Sequence, residues 1–345
     1  MDQPLVSILI ITYNQREFIN ETLQSALDQD YPNLEVVVSD DASTDGTAEV
    51  IQKYALKYPG RLVPITANQR LGITGNSNRA LKACHGKYIA FQGGDDILLP
   101  GKINSQVAWM EEHEKRVLCT HDAELFDSAT GRILYYWSDM YQLKSGTGLG
   151  DLLRYGHPCI GPGTAIMVRA SSMPRSGFDD RLEAASDILF FYKCLASGGD
   201  FGYIPRTYAR YRQHQQNIQR TGRQMLIQDS FKIIQLLEAE HPEYSKYMPA
   251  VKHLHFHSLA VWSIRDKESI KARKYILEAV RYKPFAFWKY CLLYMYTFLP
   301  DPLPSVLMNL SSRAYKSIHT SVNRVIAGLS VQFHVGRISR TIPHR

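Results

Sequence analysis

Apolar and polar positions follow one another along the first part of the chain in a pattern that predicts strands and helices in turn. Near-continuous, β-branched apolar runs at residues 6–12, 34–39, 62–66 and 88–91 predict buried strands. Apolar residues at helical spacing predict helices after the first strand, over residues 47–57 and 73–83, and after Pro100. Alternation of buried strands with helices predicts an α/β fold built on a doubly wound, mostly parallel sheet.

The pattern changes twice further along the chain. Short strands are expected at residues 117–120, 132–137 and 164–168, and a helix at 186–195, whereas helical patterns such as 225–240 and 270–282 dominate beyond residue 220. Residues 1–217 hold 21 basic and 25 acidic side chains, but residues 218–345 hold 19 and 8. We therefore place a domain boundary between residues 217 and 218. The basic, mainly helical region that follows suits an anionic membrane surface or a phosphorylated partner.

Composition and targeting signals narrow the cellular setting. The five cysteines are widely spaced and never form a Cys-x-x-Cys pair, which favours a reducing compartment. The start of the sequence shows no basic leader, and no apolar run approaches the ~20 residues that span a bilayer. Nucleic acid is not an expected partner, because the basic region carries no recognisable reading motif. These observations favour a cytoplasmic protein; its oligomeric state stays open.

Polar side chains follow the predicted strands, at the sheet edge where ligands of doubly wound folds bind. Thr12-Tyr13-Asn14 follows the first strand, the run from Asp40 to Gly46 the second, and Gly93-Gly94-Asp95-Asp96 the fourth. Clustered carboxylates repel one another unless a cation neutralises them, and their hard oxygens suit Mg²⁺ or Mn²⁺. The competing interpretations are helix capping for Ser43, Thr44 or Asp45, and a solvated loop for the last pair.

In this order, six segments resemble glycosyltransferase family 2, whose members have the GT-A fold. They are SILIITYN, VVVSDDASTDGT, ANQRLGITGNSNRAL, YIAFQGGDDILLPGKI, DILFFYKCL and YARYRQHQQN, and together they span roughly residues 4–217. The resemblance implies a nucleotide-sugar-binding catalytic domain over residues 1–217. It further implies a non-processive, inverting glycosyltransferase that acts in bacterial surface polysaccharide assembly. The donor would be a nucleoside-diphosphate sugar, with UDP favoured, and the acceptor a hydroxyl of a glycan or of a lipid-diphosphate-linked sugar.

The resemblance also implies residue roles. The nucleotide would be bound by Thr12, Tyr13, Asn14, Asp40, Asp41, Gly72, Asn78, Asp95 and Arg212. The divalent metal, Mn²⁺ or Mg²⁺, would be held by Asp95, Asp96 and His214. Two positions depart from the family pattern: Gly93 stands where an acid is usual, and Ser77 where Arg is frequent.

Asp187 is the expected general base, which would deprotonate the acceptor hydroxyl across the cleft from the metal. Its structural alternative is a first-turn acid that stabilises the helix at residues 186–195. A catalytically inactive sugar-nucleotide-binding scaffold is the competing function, which the missing acid at Gly93 favours. A sugar nucleotidyltransferase is a further alternative, although TYNQREF stands where such an enzyme needs a glycine-rich phosphate loop.

The C-terminal region contains one segment of separate interest. Residues 285–299 are apolar and aromatic, and basic residues precede them. Such a segment is typical of a helix that lies at a membrane interface, which would place the protein peripherally at the inner face of the cytoplasmic membrane. Packing against the catalytic domain or a second subunit is the alternative. The end of the chain, residues 313–345, is expected to be partly disordered.

Overall fold

The computed structural model describes residues 3–284 together with Cys291, Tyr294, Met295, Thr297 and Phe298. The strands are β1 (Val6–Thr12), β2 (Leu34–Asp40), β3 (Leu62–Thr66), β4 (Tyr88–Gly93), β5 (Ile97–Leu98), β6 (Arg116–Asp127), β7 (Ile133–Tyr136), β8 (Gly146–Thr147), β9 (Met167–Arg169) and β10 (Asp200–Gln213). The helices are α1 (Ile19–Leu27), α2 (Thr47–Lys57), α3 (Gly72–Lys82), α4 (Lys102–Glu111), α5 (Trp137–Met140), α6 (Gly148–Tyr155), α7 (Ser186–Ala196), α8 (Ile218–Thr221), α9 (Arg223–Glu240), α10 (Met248–Arg265) and α11 (Ser269–Tyr282).

One mixed sheet forms the centre of the N-terminal part of the chain, in the order β3-β2-β1-β4-β9-β6-β10-β5. The first four strands are parallel, so their carboxyl ends meet at one edge. Strand β9 pairs antiparallel with both β4 and β6, and β10 runs parallel to β6. The predicted α/β fold with a mostly parallel sheet is therefore confirmed, and the antiparallel β9 joins its two halves.

Side-chain alternation along the strands separates two apolar cores. Val6, Ile8 and Ile10 of β1 pack into one cluster with helix α1, whereas Leu9 faces the other cluster with α7. Because both faces of the sheet are covered, its central strands are near-continuously buried, as the apolar runs predict. This packing keeps the strand ends, and the loops that follow them, on a rigid frame.

Several predicted elements differ from the structure, and strands β5, β8 and β10 have no prediction. The strand expected at residues 117–120 is the first part of the longer β6. The strand expected at residues 164–168 begins only at Met167, because Gly163–Ala165 forms a 3₁₀ turn. The strand expected at 132–137 ends at Tyr136, where α5 begins. Strand β10 has no counterpart among the predicted strands. Its register against β6 shifts at several points, so its apolar positions lack the strict period of two on which strand prediction depends.

The chain divides into two compact units, residues 1–251 and 252–345. The first unit includes α8 and α9, which follow the boundary placed between residues 217 and 218; that boundary stays a prediction. In the second unit Ala260, Ile276 and Ala279 form a small apolar core. Among the described residues, none of the helices has both the length and the apolar character needed to cross a bilayer. Most of segment 285–299 and all of residues 313–345 lie outside the described residues.

Candidate active site

The loops after β1 and β2 interlock through side-chain hydrogen bonds. The Asn14 backbone N–H donates to Ser43 Oγ at 2.8 Å, and the Thr44 N–H donates to Asn14 Oδ1 at 2.9 Å. Asp40 is fully buried, and its carboxylate accepts the Ser43 N–H at 3.0 Å. The structure thus uses Asn14 and Asp40 to shape the loop, and their predicted contacts with a nucleotide stay predictions.

In the same loop, Asp45 forms hydrogen bonds at the start of α2. Asp45 accepts the Thr47 N–H at 3.0 Å and the Arg16 N–H at 3.0 Å. The capping interpretation of the 43–45 segment therefore applies to Asp45, one residue before the helix N-cap.

Asp41 anchors the start of α3. Its two carboxylate oxygens accept the N–H groups of Leu71 at 2.7 Å and Gly72 at 2.9 Å. Gly72 has a φ of +77°, a conformation that a residue without Cβ adopts at low cost. Asp41 is only 3% exposed, so its carboxylate is shielded from solvent behind the loop that it anchors.

Tyr13 is capped by an arginine that the sequence reasoning did not select. The Arg70 guanidinium lies 4.1 Å from the centre of the Tyr13 ring, and its Nε lies 3.9 Å from Asp41 Oδ2. The Arg70 side chain is 64% exposed, so it can leave the ring at a cost of about 0.5–1 kcal/mol. The sequence signal that could have identified Arg70 is its basic side chain close to Gly72, in the segment ANQRLG.

Polar side chains of helix α3 form hydrogen bonds with other protein groups. Asn78 accepts the Phe178 N–H at 2.8 Å and donates to the Phe178 carbonyl at 2.9 Å. Ser77 bonds the Ile73 carbonyl of its own helix at 2.8 Å. Asn78 therefore holds the 177–180 loop in this structure, and a contact with the nucleotide, which stays a prediction, would need these bonds to open. Thr12 is buried and bonds Gln15 Oε1 at 2.8 Å.

The acidic pair after β4 meets the end of β10. His214 Nε2 lies 2.8 Å from Asp95 Oδ2. Because His214 Nδ1 accepts the Gln216 N–H at 3.2 Å, the ring proton is assigned to Nε2, which donates to Asp95. Asp96 is 3% exposed and accepts the Arg212 N–H at 3.0 Å. The sequence correctly anticipates that these distant segments meet.

Arg212 has a different role from the predicted one in this structure. Its Nε donates to the Asp95 carbonyl at 2.7 Å, and its guanidinium pairs with Glu21. The rings of Phe18 and Phe126 lie 4.8 and 4.7 Å from it. With 5% exposure and these partners, Arg212 fastens the acidic loop to β10. Its direct contact with a diphosphate stays a prediction.

Burial raises the pKa of Asp96 well above its usual range, and the charge of Asp95 adds to this effect. A Cβ atom at Gly93 would lie 2.8 Å from Asp95 Oδ1 and 3.1 Å from Asp96 Oδ2. The glycine thus leaves room for both carboxylates, which gives a steric reason for the missing acid.

Among the described residues, no group of three or more His, Cys, Asp or Glu side chains is arranged to hold a metal ion. Carboxylate and imidazole are ligand types that Mn²⁺ accepts, but His214 Nε2 would have to lose its proton and its bond to Asp95 to bind a metal, so the roles of Asp95, Asp96 and His214 as metal ligands stay predictions.

Asp187 lies in the first turn of α7 and is partly buried. Its Oδ1 accepts the Ile188 N–H at 2.9 Å, which is the first-turn role expected as the structural alternative. Its Oδ2 faces Gly163, where a Cβ would lie 3.9 Å away, and bonds no described residue. Burial raises the pKa of Asp187 to about 6, so the carboxylate is mostly ionised at pH 7 and can accept a proton.

The charges of the acidic pair and of Asp187 all act on Tyr211. Burial raises the pKa of the Tyr211 hydroxyl well above the usual range, and the charges of Asp96, Asp95 and Asp187 raise it further. The expected metal-binding acids and the expected base therefore influence one phenol. The sequence reasoning missed Tyr211, although it stands next to Arg212 in YARYRQHQQN.

Comparison with known proteins shows which family and which solved structures this chain is similar to. Residues 7–174 match the model of glycosyl transferase family 2. An uncharacterised Mycobacterium tuberculosis protein is 30% identical over 219 residues, which cover 62% of this chain and 60% of that protein. The Escherichia coli protein WfaP, named a UDP-Glc:α-D-GlcNAc-diphosphoundecaprenol β-1,3-glucosyltransferase, is 42% identical over 107 residues, or 31% of this chain and 41% of its own. The match thus spans less than two thirds of these curated relatives.

Solved structures share the fold. Staphylococcus aureus TarS in complex with UDP-GlcNAc has a TM-score of 0.59 at 18% identity, covering 81% of both chains. The mannosyltransferase PcManGT from Pyrobaculum calidifontis, in complex with GDP-Man and Mn²⁺, has a TM-score of 0.54 at 20% identity, covering 90% of this chain and 88% of its own. Both are GT-A glycosyltransferases, so the expected fold class is confirmed.

Proposed function

We propose, because residues 7–174 match the model of glycosyl transferase family 2, that the chain transfers a sugar from a nucleoside-diphosphate donor to an acceptor hydroxyl with inversion. The observation that carries this proposal is that the charges of the acidic pair and of Asp187 all act on Tyr211. An inverting transfer needs a site for the leaving diphosphate and a base on the opposite side of the anomeric carbon. The acidic pair is proposed to meet the first need and Asp187 the second.

The nucleobase is proposed to bind between Tyr13 and Arg70, with Asp41 accepting an N–H of the base edge. The ring of Tyr13 offers a stacking face, and the exposed Arg70 guanidinium can cover a second one. UDP is the favoured nucleotide, because WfaP is named for UDP-Glc and TarS was solved with UDP-GlcNAc. PcManGT binds GDP-Man, so GDP is the alternative that the experiment tests.

The diphosphate is proposed to lie at Asp95, Asp96 and His214. A Mn²⁺ or Mg²⁺ ion held there would neutralise the charge that develops on the leaving diphosphate. The chain's own contribution is to keep the two carboxylates together. Arg212 does this with two donors: its backbone N–H donates to the Asp96 carboxylate, and its side-chain Nε donates to the Asp95 carbonyl.

Asp187 is proposed to take the proton of the acceptor hydroxyl through its free Oδ2. The acceptor would approach over residues 133–141, where exposed apolar side chains lie next to the site. They are Ile133, Leu134, Tyr136, Met140 and Tyr141. The Trp137 ring, 5.0 Å from Tyr141 and 6.5 Å from Tyr211, links this surface to the carboxylates. A glycan or lipid-diphosphate-linked sugar suits a partly apolar surface. Bacterial surface polysaccharide assembly is the proposed setting, and the diphosphoundecaprenol-linked sugar in the name of WfaP supports a lipid-linked acceptor.

The basic region after residue 217 is proposed to attract an anionic membrane surface, which would bring a lipid-linked acceptor to the site. The protein would then act peripherally at the cytoplasmic face. Vesicle sedimentation tests this: binding to phosphatidylglycerol vesicles should exceed binding to phosphatidylcholine vesicles and fall as salt rises. Equal binding to both vesicle types would contradict the membrane proposal alone.

Calorimetric titration with UDP and GDP, with and without Mn²⁺, tests the donor site. We expect Mn²⁺ to strengthen UDP binding in the wild type and to have little effect in Asp96→Asn. Asp30→Asn is the matched control, because this exposed carboxylate precedes β2 at the opposite sheet edge. UDP-glucose and UDP-GlcNAc turnover, lost in Asp187→Asn, would then support the transferase. Binding without turnover would favour the inactive scaffold, and no binding of either nucleotide would contradict the donor assignment.

A further inference from the structure

Helix α9, which lies outside the family-matched segment, reaches the loop that carries the proposed base. The Asp229 carboxylate on α9 is 1% exposed. Its Oδ2 accepts three consecutive backbone N–H groups, at 2.8 Å from Glu183, 2.7 Å from Ala184 and 3.0 Å from Ala185. Three charge-assisted bonds to one oxygen form a strong anchor in a dry environment.

These three residues lie immediately before α7, whose first turn contains Asp187. Ala185 occupies the N-cap position of α7 and has no side-chain oxygen with which to cap the helix. Asp229 supplies a carboxylate at this helix N-terminus instead, where negative charge is favourable. The start of α7, and with it Asp187, is thus held from a helix more than forty residues further along the chain.

Further contacts hold the same loop against α3 and the end of α9. Thr74 Oγ1 on α3 is hydrogen-bonded to the Leu182 carbonyl at 2.6 Å and to Ser186 Oγ at 2.9 Å. At the end of α9, Glu240 pairs with Arg181 at 2.5 Å and with Lys193 at 3.2 Å. Side chains of α3 and of α9 therefore both hold the loop before α7, and Asp229 provides a buried contact from α9.

We propose that Asp229 is a positioning residue, which anchors residues 183–185 and so keeps Asp187 in the partly buried place from which it faces the acceptor. This inference rests on the proposed function only in taking Asp187 to face an acceptor hydroxyl. The positioning of Asp187 by Asp229 is a property of the fold. Without Asp229, three N–H groups would lack their acceptor, and one of them belongs to the buried Ala185. A buried donor left unpaired is costly, so the loop would move until water reaches these groups, and Asp187 would become solvated.

A double-mutant cycle tests this without any assay of activity. Burial destabilises the ionised Asp187, so Asp187→Asn should raise the melting temperature at pH 7.5. We expect this gain in melting temperature to fall to roughly half or less when Asp187→Asn is introduced into Asp229→Ala. The reason is that the stability effects of two substitutions within one contact network are not additive. Amide hydrogen exchange in residues 183–188 should accelerate in the same variant. Asp151→Ala is the control, since Asp151 accepts the Thr147 N–H of a separate loop at 2.9 Å.

If Asp229→Ala does not fold, Asp229→Asn replaces it, because the amide keeps one acceptor oxygen and should give an intermediate result. A gain from Asp187→Asn that is equal in the wild-type and Asp229 backgrounds would overturn the proposal and leave Asp229 a purely structural residue. Failure of the transferase proposal would look different: nucleotide binding and turnover would be absent, while the cycle still reported coupling.

Discussion

The raised pKa of Asp187 makes a quantitative prediction about stability. An acid whose pKa is higher in the folded than in the unfolded chain disfavours folding once it ionises. The folded chain holds the Asp187 proton up to about pH 6, whereas the unfolded chain loses it near the ordinary value of 3.8. The contribution of Asp187 to stability is thus fully present below pH 3.8 and is lost as the pH rises through 6.

The magnitude follows from this difference in pKa. Raising a carboxyl pKa from 3.8 to about 6 corresponds to about 3 kcal/mol at pH 7.5. Because the side chain is partly exposed, water screens part of this cost, and we expect about 1–3 kcal/mol. The neutral amide side chain that Asp187→Asn introduces avoids it and can still accept the Ile188 N–H. For a unit of this size, a gain near 2 kcal/mol raises the melting temperature by about 4–8 °C.

The assay compares wild type with Asp187→Asn by thermal and urea unfolding at pH 4.5 and 7.5. We expect the variant to be more stable at pH 7.5 and the advantage to fall to about a third at pH 4.5, since the folded wild type is then protonated. Turnover of the sugar donor should meanwhile fall by about 10²–10⁴-fold, the usual contribution of a general base. Asp30→Asn should show no pH-dependent gain. A variant no more stable than wild type at pH 7.5, or equally favoured at both pH values, would refute the reasoning.

Three further predictions concern the donor site. Arg70→Ala should weaken UDP binding in calorimetry by about threefold to fivefold, which is the affinity that one exposed cation–π contact contributes. Unchanged binding would show that Arg70 does not contact the nucleobase. His214→Ala should reduce the gain in UDP affinity that Mn²⁺ produces by roughly tenfold, and a metal effect equal to that of wild type would exclude His214 as a ligand. Arg212→Lys should lower the free energy of unfolding by about 2–4 kcal/mol, because the ammonium cannot reproduce the fork that joins Asp95 and Glu21. An unchanged denaturation midpoint for Arg212→Lys would contradict the fastening role.

Local sequence pattern determined the frame of the molecule. The apolar runs of β1 and β2 and the helical spacing of α2 place these elements within a residue of where the structure has them. Such elements are predictable because burial on both faces, or on one helical stripe, leaves a regular imprint on neighbouring residues. The order of strands and helices then brings the loops after β1, β2 and β4 to one edge, which is why the acidic pair could be selected as a site.

Strand β10 and the partners of the polar side chains were decided by the tertiary structure alone. The bulged pairing of β10 with β6 disrupts its apolar period, so no local window reveals it. The sequence identified Arg212 and Asn78 as polar residues near a ligand, yet the fold directs Arg212 to Asp95 and Glu21, and Asn78 to Phe178.

Asp229 shows the same limit most clearly. In sequence it is one acid at helical spacing from Leu226 and Ile233, and nothing local shows which groups it bonds. Only the packing of α9 against the loop before α7 buries it and gives it three N–H donors. Periodicity records which residues are buried together over a few turns. A hydrogen bond between residues more than forty positions apart depends on how the whole chain is packed, and the tertiary structure decides it.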